Sequence, residues 1–340
     1  MTRPRARGRN RPRIFFSFAL LASLALAACT ADAPYNYLHP VGPAARAADA
    51  LWDLTFGIAV AVFVIVEGAL LYIIIKYRRR SDRDQPTQVH GNTRLEILWT
   101  LIPVLLLTIV AFRTVGGIFE SAQEPTNPLE VSVTGHQWWW QFRYEESGLL
   151  TANEVHVPVG RPVQFTIRSA DVVHSFWVPK LGGKQDAVPG RVIKTTYLAP
   201  RAGEYLGECA EYCGLSHANM RLRVVAHPPA EFDRWHSEQM QNAAQPTDPL
   251  AARGAQLFAT GQCVGCHTVK GTPAQGVVGP DLTHFASRRT FAGSIFERTD
   301  ENLAKWLADP PEQKPGAKMP DLNLRDDEIQ ALVAYLQTLR

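Results

Sequence analysis

The sequence predicts a chain of several domains: two membrane-spanning helices, then an all-β domain, then an all-α domain. At 340 residues the chain is longer than one ordinary domain. Two apolar segments are each long enough for a bilayer, which takes about 20 residues. After them, short β-branched and aromatic runs give way near residue 249 to helix-forming segments.

The first 28 residues have the composition of an export signal. Six arginines fall within the first thirteen residues, and the apolar run "IFFSFALLASLALAA" and Cys29 follow them. The letters "LAAC" fit a lipoprotein box with Cys29 as the lipidated residue, and the alternative is an ordinary signal peptide with an incidental cysteine. Removal of residues 1–28 takes six positive charges from a formal net charge of +3. The remaining chain is therefore slightly acidic, and nucleic acid is not an expected partner.

Residues 45–120 are predicted to form a transmembrane hairpin. The apolar segments run from Leu51 to Ile75 and from Leu95 to Phe112, and the loop between them has six basic and two acidic residues. Excess basic charge marks the cytoplasmic side, so both ends of the hairpin are expected outside. A buried pair of core helices is the alternative, which the length and flanking charge oppose. Glu96, near the start of the second segment, is a functional candidate at membrane depth, although such a carboxylate can also reach headgroups.

Residues 129–227 are predicted to form an all-β sandwich. Runs such as "LEVSVTGHQWWWQFRYE" and "VIKTTYLA" are rich in β-branched and aromatic residues and are separated by glycine and proline. A polar stretch over residues 228–248 is expected to act as a linker, part of it helical. Residues 249–340 contain the helical segments "AARGAQLFATG", "TDENLAKWLAD" and "RDDEIQALVAYLQTLR".

The motif "CVGCH" in the last domain indicates covalent c-type haem. Cys263 and Cys266 would form the thioethers, and His267 would bind the iron. A chance match, a redox pair or a zinc pair are the alternatives, but the expected export and the following "GPDL" favour haem. Met319 in "KMP", just before the final helix, is the expected sixth ligand, since His–Met ligation is typical of electron-carrying cytochromes. The segment resembles small bacterial class I cytochromes c.

The stretch "CAEYCGLSHANM" holds a second cluster of metal-binding residues. A histidine in "DVVHSFWVP" lies about 35 residues upstream. A single blue-copper site needs two histidines, one cysteine and an axial methionine, so a second cysteine suits two copper ions bridged by both thiolates. The alternatives are a structural zinc site and a disulfide. The candidate side-chain ligands are His174, Cys209, Cys213, His217 and Met220.

These ligands, with "GHQWWWQF", "LGGKQDAVPGR" and "LEILWTLIP", resemble the cytochrome c oxidase subunit II family over about residues 50–227. The resemblance implies a cupredoxin-like Greek-key domain with a dinuclear copper A centre. It also implies that the Glu211 carbonyl binds copper and that the Glu211 carboxylate binds magnesium or manganese shared with subunit I. Trp138 would be the residue through which electrons enter the copper site, and Glu96 would lie at the mouth of a proton pathway.

Together the two resemblances imply the subunit of a haem–copper cytochrome c oxidase that receives electrons. The donor, cytochrome c or an upstream respiratory complex, would reduce the haem c, and electrons would continue through copper A to subunit I. Oxygen reduction and proton translocation would occur there. Subunits I and III and the bacterial inner membrane are the expected surroundings, with both large domains on the periplasmic side. A nitric-oxide reductase subunit, a copper-storage lipoprotein and a quinol oxidase subunit II are the alternatives; the last typically lacks the copper ligands.

Overall fold

The first elements in the described part of the chain are two long helices. A computed structural model describes residues 35–79, 88 and 90–340, so the expected export signal and Cys29 lie outside the described residues. The helices are α1, Pro43–Lys76, and α2, Thr93–Ser121. Both extend beyond the apolar segments seen in the sequence because proline occupies the first turn of α1 and the Asn92 side chain caps α2, accepting from the amides of Arg94 and Leu95.

Both helices expose apolar side chains along almost their whole length. In the described part of the chain they are the two helices long and apolar enough to cross a bilayer. The start of α1 is attached to the β domain, since the amides of Val41 and Gly42 each donate to the Lys180 carbonyl at 2.8 Å. The hairpin therefore begins directly beneath that domain.

The middle domain consists of two five-stranded sheets that enclose one core. The first sheet has the order β3-β2-β1-β5-β8 and the second β4-β10-β9-β6-β7. The long run after residue 129 forms two antiparallel strands rather than one, because the chain turns at residues 137 and 138. The strands are β1 Leu129–His136, β2 Trp139–Tyr144, β3 Leu150–Ala152, β4 Glu154–Pro158, β5 Val163–Ser169, β6 His174–Trp177, β7 Gln185–Ala187, β8 Ile193–Tyr197, β9 Gly203–Cys209 and β10 Arg221–His227.

The core between the sheets is built from alternating strand residues. Val131 and Phe142 from the first sheet and Phe176 and Val224 from the second are almost fully buried in one cluster. Alternation of this kind is what places one face of each strand against the partner sheet. The observed architecture is the sandwich that the sequence predicts.

The segment expected to be a linker is partly packed. Helix α3, Pro229–Gln239, places Phe232 in the core cluster of the β domain, and Trp235 packs against that cluster. Ala243, four residues after α3, belongs instead to the core of the last domain. The chain between the two domains is therefore held at both ends by buried side chains.

The last domain is helical and has its own core. Helices α4, Pro249–Thr260, and α7, Asp326–Leu336, pack closely because Gly254 leaves room for the backbone of Ala331, whose oxygen would lie 1.9 Å from a Cβ at position 254. A hairpin, β11 Thr290–Phe291 and β12 Phe296–Glu297, is the only regular sheet in this described region. The helices are α4 Pro249–Thr260, α5 Asp300–Ala308, α6 Pro310–Gln313 and α7 Asp326–Leu336, with 3-10 turns at Gln262–Gly265 and Phe285–Ser287.

The β domain and the helical domain share a contact surface with buried polar groups. The Glu154 carboxylate, 2 % exposed, accepts from the amides of Arg289 and Thr290 at 3.1 and 2.8 Å. The amide of Arg221 donates to the Gly293 carbonyl at 2.9 Å. A buried carboxylate is costly unless such donors satisfy it, so these contacts are specific to the packed arrangement.

Candidate metal centre and haem site

The cysteine cluster lies in the loop that joins β9 to β10. Cys209 is the last residue of β9, and its amide donates to the Met220 carbonyl at 2.9 Å, which closes the base of the loop. His217 starts a 3-10 turn inside the loop. His174 is the first residue of β6, and the pairing of Phe176 with Cys209 brings it beside the loop. All five candidate ligands therefore meet at one end of the sandwich.

The ligand atoms of His174, Cys209 and Cys213 lie within 4.8 Å of one another, and His217 and Met220 join this group through Cys213. The Cys209 and Cys213 sulfurs are 3.8 Å apart, far beyond the ~2.05 Å of a disulfide. His174 Nδ1 lies 4.0 Å from the Cys209 sulfur, and His217 Nδ1 lies 3.6 Å from the Cys213 sulfur. The Met220 sulfur is 3.9 Å from that of Cys213. One histidine nitrogen lies beside each thiol, so these four side chains could together hold two metal ions.

The pKa values of the two thiols favour the binding of a cation. The contact between the two sulfurs lowers the pKa of Cys209, and the same contact, together with burial, raises the pKa of Cys213. Cys209 therefore gives up its proton more readily than Cys213, and both thiols would be deprotonated as ligands of a metal ion. Two thiolates, two imidazoles and a thioether are soft or borderline donors, which fit copper.

Asp171 orients the upstream histidine. Its Oδ1 is 2.7 Å from His174 Nε2, which leaves His174 Nδ1 facing the sulfurs. Burial lowers the pKa of His174, but hydrogen bonds to Cys209 and Asp171 outweigh burial and raise it above its usual value. Carboxylates in this position fix the tautomer of metal-binding histidines. Asp171 is not among the residues predicted from the sequence, although its place three residues before His174 is a usable signal.

The two functional groups of Glu211 point in different directions. Its carbonyl lies 3.2 Å from the Cys209 sulfur. Its carboxylate is half-exposed and lies 3.7 Å from Lys184 Nζ. The backbone of Glu211 can therefore contribute to the cysteine site, while its carboxylate points to the surface, where it pairs with Lys184.

Trp138 is buried against the cysteine loop, with 7 % of its surface exposed. Its indole N–H donates to the Cys213 carbonyl at 3.0 Å, and the Gln137 side-chain amide donates to the same oxygen at 2.8 Å. The outer face of the ring is covered by Gly316 of the helical domain, where a Cβ would lie 2.7 Å from the ring. This contact between the two domains is not predictable from the sequence.

The "CVGCH" motif follows α4 directly. Cys263 and Cys266 are free thiols, and His267 Nδ1 lies 2.8 Å from the Pro280 carbonyl, which leaves Nε2 for a ligand. Burial lowers the pKa of His267, so the imidazole is neutral. A Cβ at Gly279 would lie 2.6 Å from the His267 ring, so this position admits no side chain. A neutral imidazole with one anchored nitrogen fits a haem iron.

Met319 lies in the loop before α7. It packs against the hydrophobic cluster that Cys263 also contacts, so both ends of the expected haem site share one core. Glu96 lies elsewhere, in the first turn of α2, where its carboxylate accepts from the Asn92 amide at 3.2 Å. That contact is a helix cap and gives Glu96 a structural role of its own.

Comparison with known proteins identifies the family. The family description "Cytochrome C oxidase subunit II, transmembrane domain" matches residues 37–115, its periplasmic domain matches residues 147–227, and "Cytochrome c" matches residues 251–340. Cytochrome c oxidase subunit 2 of Alkalihalophilus pseudofirmus is 40 % identical over 94 % of each chain, and that of Bacillus sp. (strain PS3) is 38 % identical over 96 % of this chain and 97 % of the relative.

Other similar proteins match a smaller part of the chain. A quinol oxidase subunit 2 of Bacillus cereus is 33 % identical over 64 % of this chain and 77 % of its own. The crystal structure of the periplasmic domain of subunit II of cytochrome oxidase of Bradyrhizobium japonicum is 30 % identical, covers 34 % of this chain and 96 % of that one, and has a TM-score of 0.34.

The fold and both sites thus define a membrane-bound redox subunit with a periplasmic domain. The chain belongs to the cytochrome c oxidase subunit II family, in the form that carries a C-terminal cytochrome c domain.

Proposed function

We propose that this chain receives electrons for a haem–copper cytochrome c oxidase. A haem c and a dinuclear copper A centre would supply reversible one-electron transfer between an external donor, such as cytochrome c or an upstream respiratory complex, and subunit I. Oxygen reduction to water and proton translocation would belong to subunit I. Subunits I and III and the bacterial inner membrane are its proposed surroundings.

The convergence of the Cys209 and Cys213 sulfurs with two imidazole nitrogens and a thioether carries this proposal. Each sulfur has its own histidine nitrogen within 4.0 Å. A structural zinc would use the two cysteines and two histidines and leave the Met220 sulfur, 3.9 Å from that of Cys213, with core packing as its only role. The proposed copper ligands are the side chains of His174, Cys209, Cys213, His217 and Met220 and the carbonyl of Glu211.

In the cytochrome domain, Cys263 and Cys266 would hold the haem by thioethers and His267 and Met319 would bind its iron. Anchoring of His267 Nδ1 by the Pro280 carbonyl supports this role, because it orients the ring before the ligand arrives. Trp138 would be the residue through which electrons enter the copper site. Its hydrogen bond to the Cys213 carbonyl and its contact with Gly316 support this role.

Two carboxylates have proposed roles toward subunit I. The half-exposed Glu211 carboxylate would bind a magnesium or manganese ion shared with that subunit, for which an oxygen donor is suitable. Glu96 would lie at the entrance of a proton pathway, on the side of the membrane that the basic loop marks as cytoplasmic. The first 28 residues would act as a lipoprotein signal with Cys29 as the acylated residue.

Metal analysis of the full chain tests the proposal. The chain would be produced without its partner subunits, matured with haem, and purified in detergent. Two copper ions per haem, with one unpaired electron shared equally by both copper nuclei in electron paramagnetic resonance, are expected. One zinc ion, or a single-nucleus copper signal, would contradict the dinuclear site.

Replacement of the thioether tests one ligand in isolation. Met220→Leu keeps the volume of a fully buried side chain and should change the copper hyperfine pattern while haem attachment stays complete. Met240→Leu is the matched control, since Met240 is exposed at the end of α3. Identical copper spectra in both variants would remove Met220 from the ligand set.

A further inference from the structure

The loop that ends at Met319 makes a second set of contacts, with the β domain. Residues 314–318 lie between helix α6 and Met319. Gly316 packs on the ring of Trp138, and the hydroxyl of Ser216 donates to the Pro315 carbonyl at 2.6 Å. Lys318 Nζ lies 3.4 Å from the Asp171 carboxylate. The loop therefore touches the cysteine loop and the carboxylate beside His174.

The close approach of the loop to Trp138 requires a glycine at position 316. Its φ of +81° lies in the left-handed region, which residues with a side chain rarely adopt. A Cβ at this position would also lie 2.7 Å from the indole ring. Conformation and proximity both require glycine here, so the loop can lie directly on Trp138.

Lys314 is the buried centre of these contacts. Only 3 % of its surface is exposed, and its ammonium donates to the Trp138 carbonyl at 2.6 Å and to the Ala292 carbonyl at 2.8 Å. Lysine is almost never fully buried unless it is paired. Burial lowers the pKa of Lys314 to about 7, which shows how unfavourable this environment is for an unpartnered charge.

The acceptors of Lys314 belong to two different domains. Trp138 is in the β domain, while Ala292 is next to Gly293, whose carbonyl accepts from the Arg221 amide of the β domain. One ammonium therefore joins the Met319 loop, the β11–β12 hairpin and the backbone of Trp138. An exposed surface lysine would make no comparable connection, since it would be free to move in water.

We propose that Lys314 is a positioning residue that holds the Met319 loop on Trp138 and so fixes the separation over which electrons pass between the two proposed sites. This inference rests on the proposed function. Transfer between groups that do not touch depends steeply on their separation and orientation, and a tether alone only raises the local concentration of one domain near the other. The hydrogen bonds of Lys314 hold the two tethered domains in one defined relative orientation.

Lys314→Met in the full chain, assembled with its partner subunits, tests the inference. Methionine fills most of the same space but has no donor for either carbonyl. A buried hydrogen bond from a charged group typically shifts an equilibrium by about 10- to 150-fold. We expect electron transfer from haem to copper, followed optically after rapid reduction of the haem, to slow by at least about tenfold.

Amide hydrogen exchange supplies a readout that does not depend on electron transfer. The amides of Arg221, Arg289 and Thr290 each donate across the domain boundary. In Lys314→Met these three amides should exchange faster by a similar factor, while the haem spectrum, including the methionine–iron band, and the copper signal stay unchanged. Lys305→Met is the control, because Lys305 is exposed on α5 and pairs only with Glu301 among the described contacts.

The outcomes separate this inference from the proposed function. Absence of haem or of dinuclear copper in the unaltered protein would overturn the proposed function. Both centres present, with Lys314→Met as fast as Lys305→Met and its three amides equally protected, would overturn only the positioning role. Loss of the methionine–iron band in the variant would also overturn it, since Lys314 would then support the haem ligand itself. If Lys314→Met does not assemble, Lys314→Leu, which also has no donor for either carbonyl, is measured in the same way.

Discussion

Asp171 is not a proposed metal ligand, but among the residues outside that set its replacement should affect metal binding most. Its four neighbouring groups are all donors. Oδ1 faces His174 Nε2 at 2.7 Å and the Val172 amide at 2.8 Å, while Oδ2 faces the Gln137 amide at 2.8 Å and Lys318 at 3.4 Å. In Asp171→Asn one of these two positions becomes an NH₂ group, which faces donors in either orientation of the amide.

The size of the effect follows from those contacts. The variant loses a charge-assisted hydrogen bond and places one donor against another, which together cost about 1.5–3 kcal/mol. Because this contact orients His174, its loss should weaken metal binding. A cost of about 1.4 kcal/mol corresponds to a tenfold lower affinity. We expect copper affinity to fall by about 10- to 100-fold, as is usual when the partner of a metal-binding histidine is removed.

Copper competition with a chelator of known affinity measures this change, with the haem absorbance as an internal measure of protein. Asp186→Asn is the matched control, since Asp186 lies on β7 beside β6 but its ion pair, at 3.8 Å, is with Lys184. Equal copper affinity in the two variants would refute the argument that Asp171 orients His174.

Two further predictions concern stability. Gly254→Ala should destabilise the cytochrome domain by about 1–3 kcal/mol in denaturant titration, because its Cβ would overlap the Ala331 carbonyl. Gly183→Ala places its Cβ in open space and should change stability little. Equal shifts of the unfolding midpoint in the two variants would contradict the packing argument. Burial lowers the pKa of His156 to about 3 from 6.5, so between these two pH values protons bind mainly to the unfolded chain. The free energy of unfolding should therefore decrease as the pH is lowered from 6.5 to 3, by about 5 kcal/mol at most. His156→Phe, which can still stack on Trp235, should flatten this dependence in thermal melts; an unchanged slope would assign the acid sensitivity to other groups.

The partly buried pair of His156 and His227 explains why this acid sensitivity is a property of the β domain. His156 Nδ1 and His227 Nε2 are 2.7 Å apart on adjacent strands. Burial also lowers the pKa of His227, so a second proton is resisted at the same place. Between them the two rings share one proton as a hydrogen bond, and protonation of both would put two charges in contact.

Several features of the protein follow from the sequence by itself. The membrane helices depend on uninterrupted apolar length, the haem attachment motif spans five consecutive residues, and four of the copper-ligand candidates lie within twelve residues of one loop. These are local features, in which neighbours along the chain are also neighbours in space. The two domains and their all-β and all-α classes follow in the same way from the period of the apolar residues.

Other features depend on the tertiary structure. His174 joins the cysteine loop only because β6 pairs with β9, and Asp171 is recognisable as its partner only once the ring nitrogens are oriented. Trp138 was expected as an electron entrance, yet its burial under Gly316 depends on how two separately folded domains pack. From the sequence, Lys314 would be expected at the surface, as most lysines are. In the structure it is buried and donates a hydrogen bond between the two domains. Long-range contacts of this kind are determined by strand order and domain packing, which no short stretch of sequence encodes.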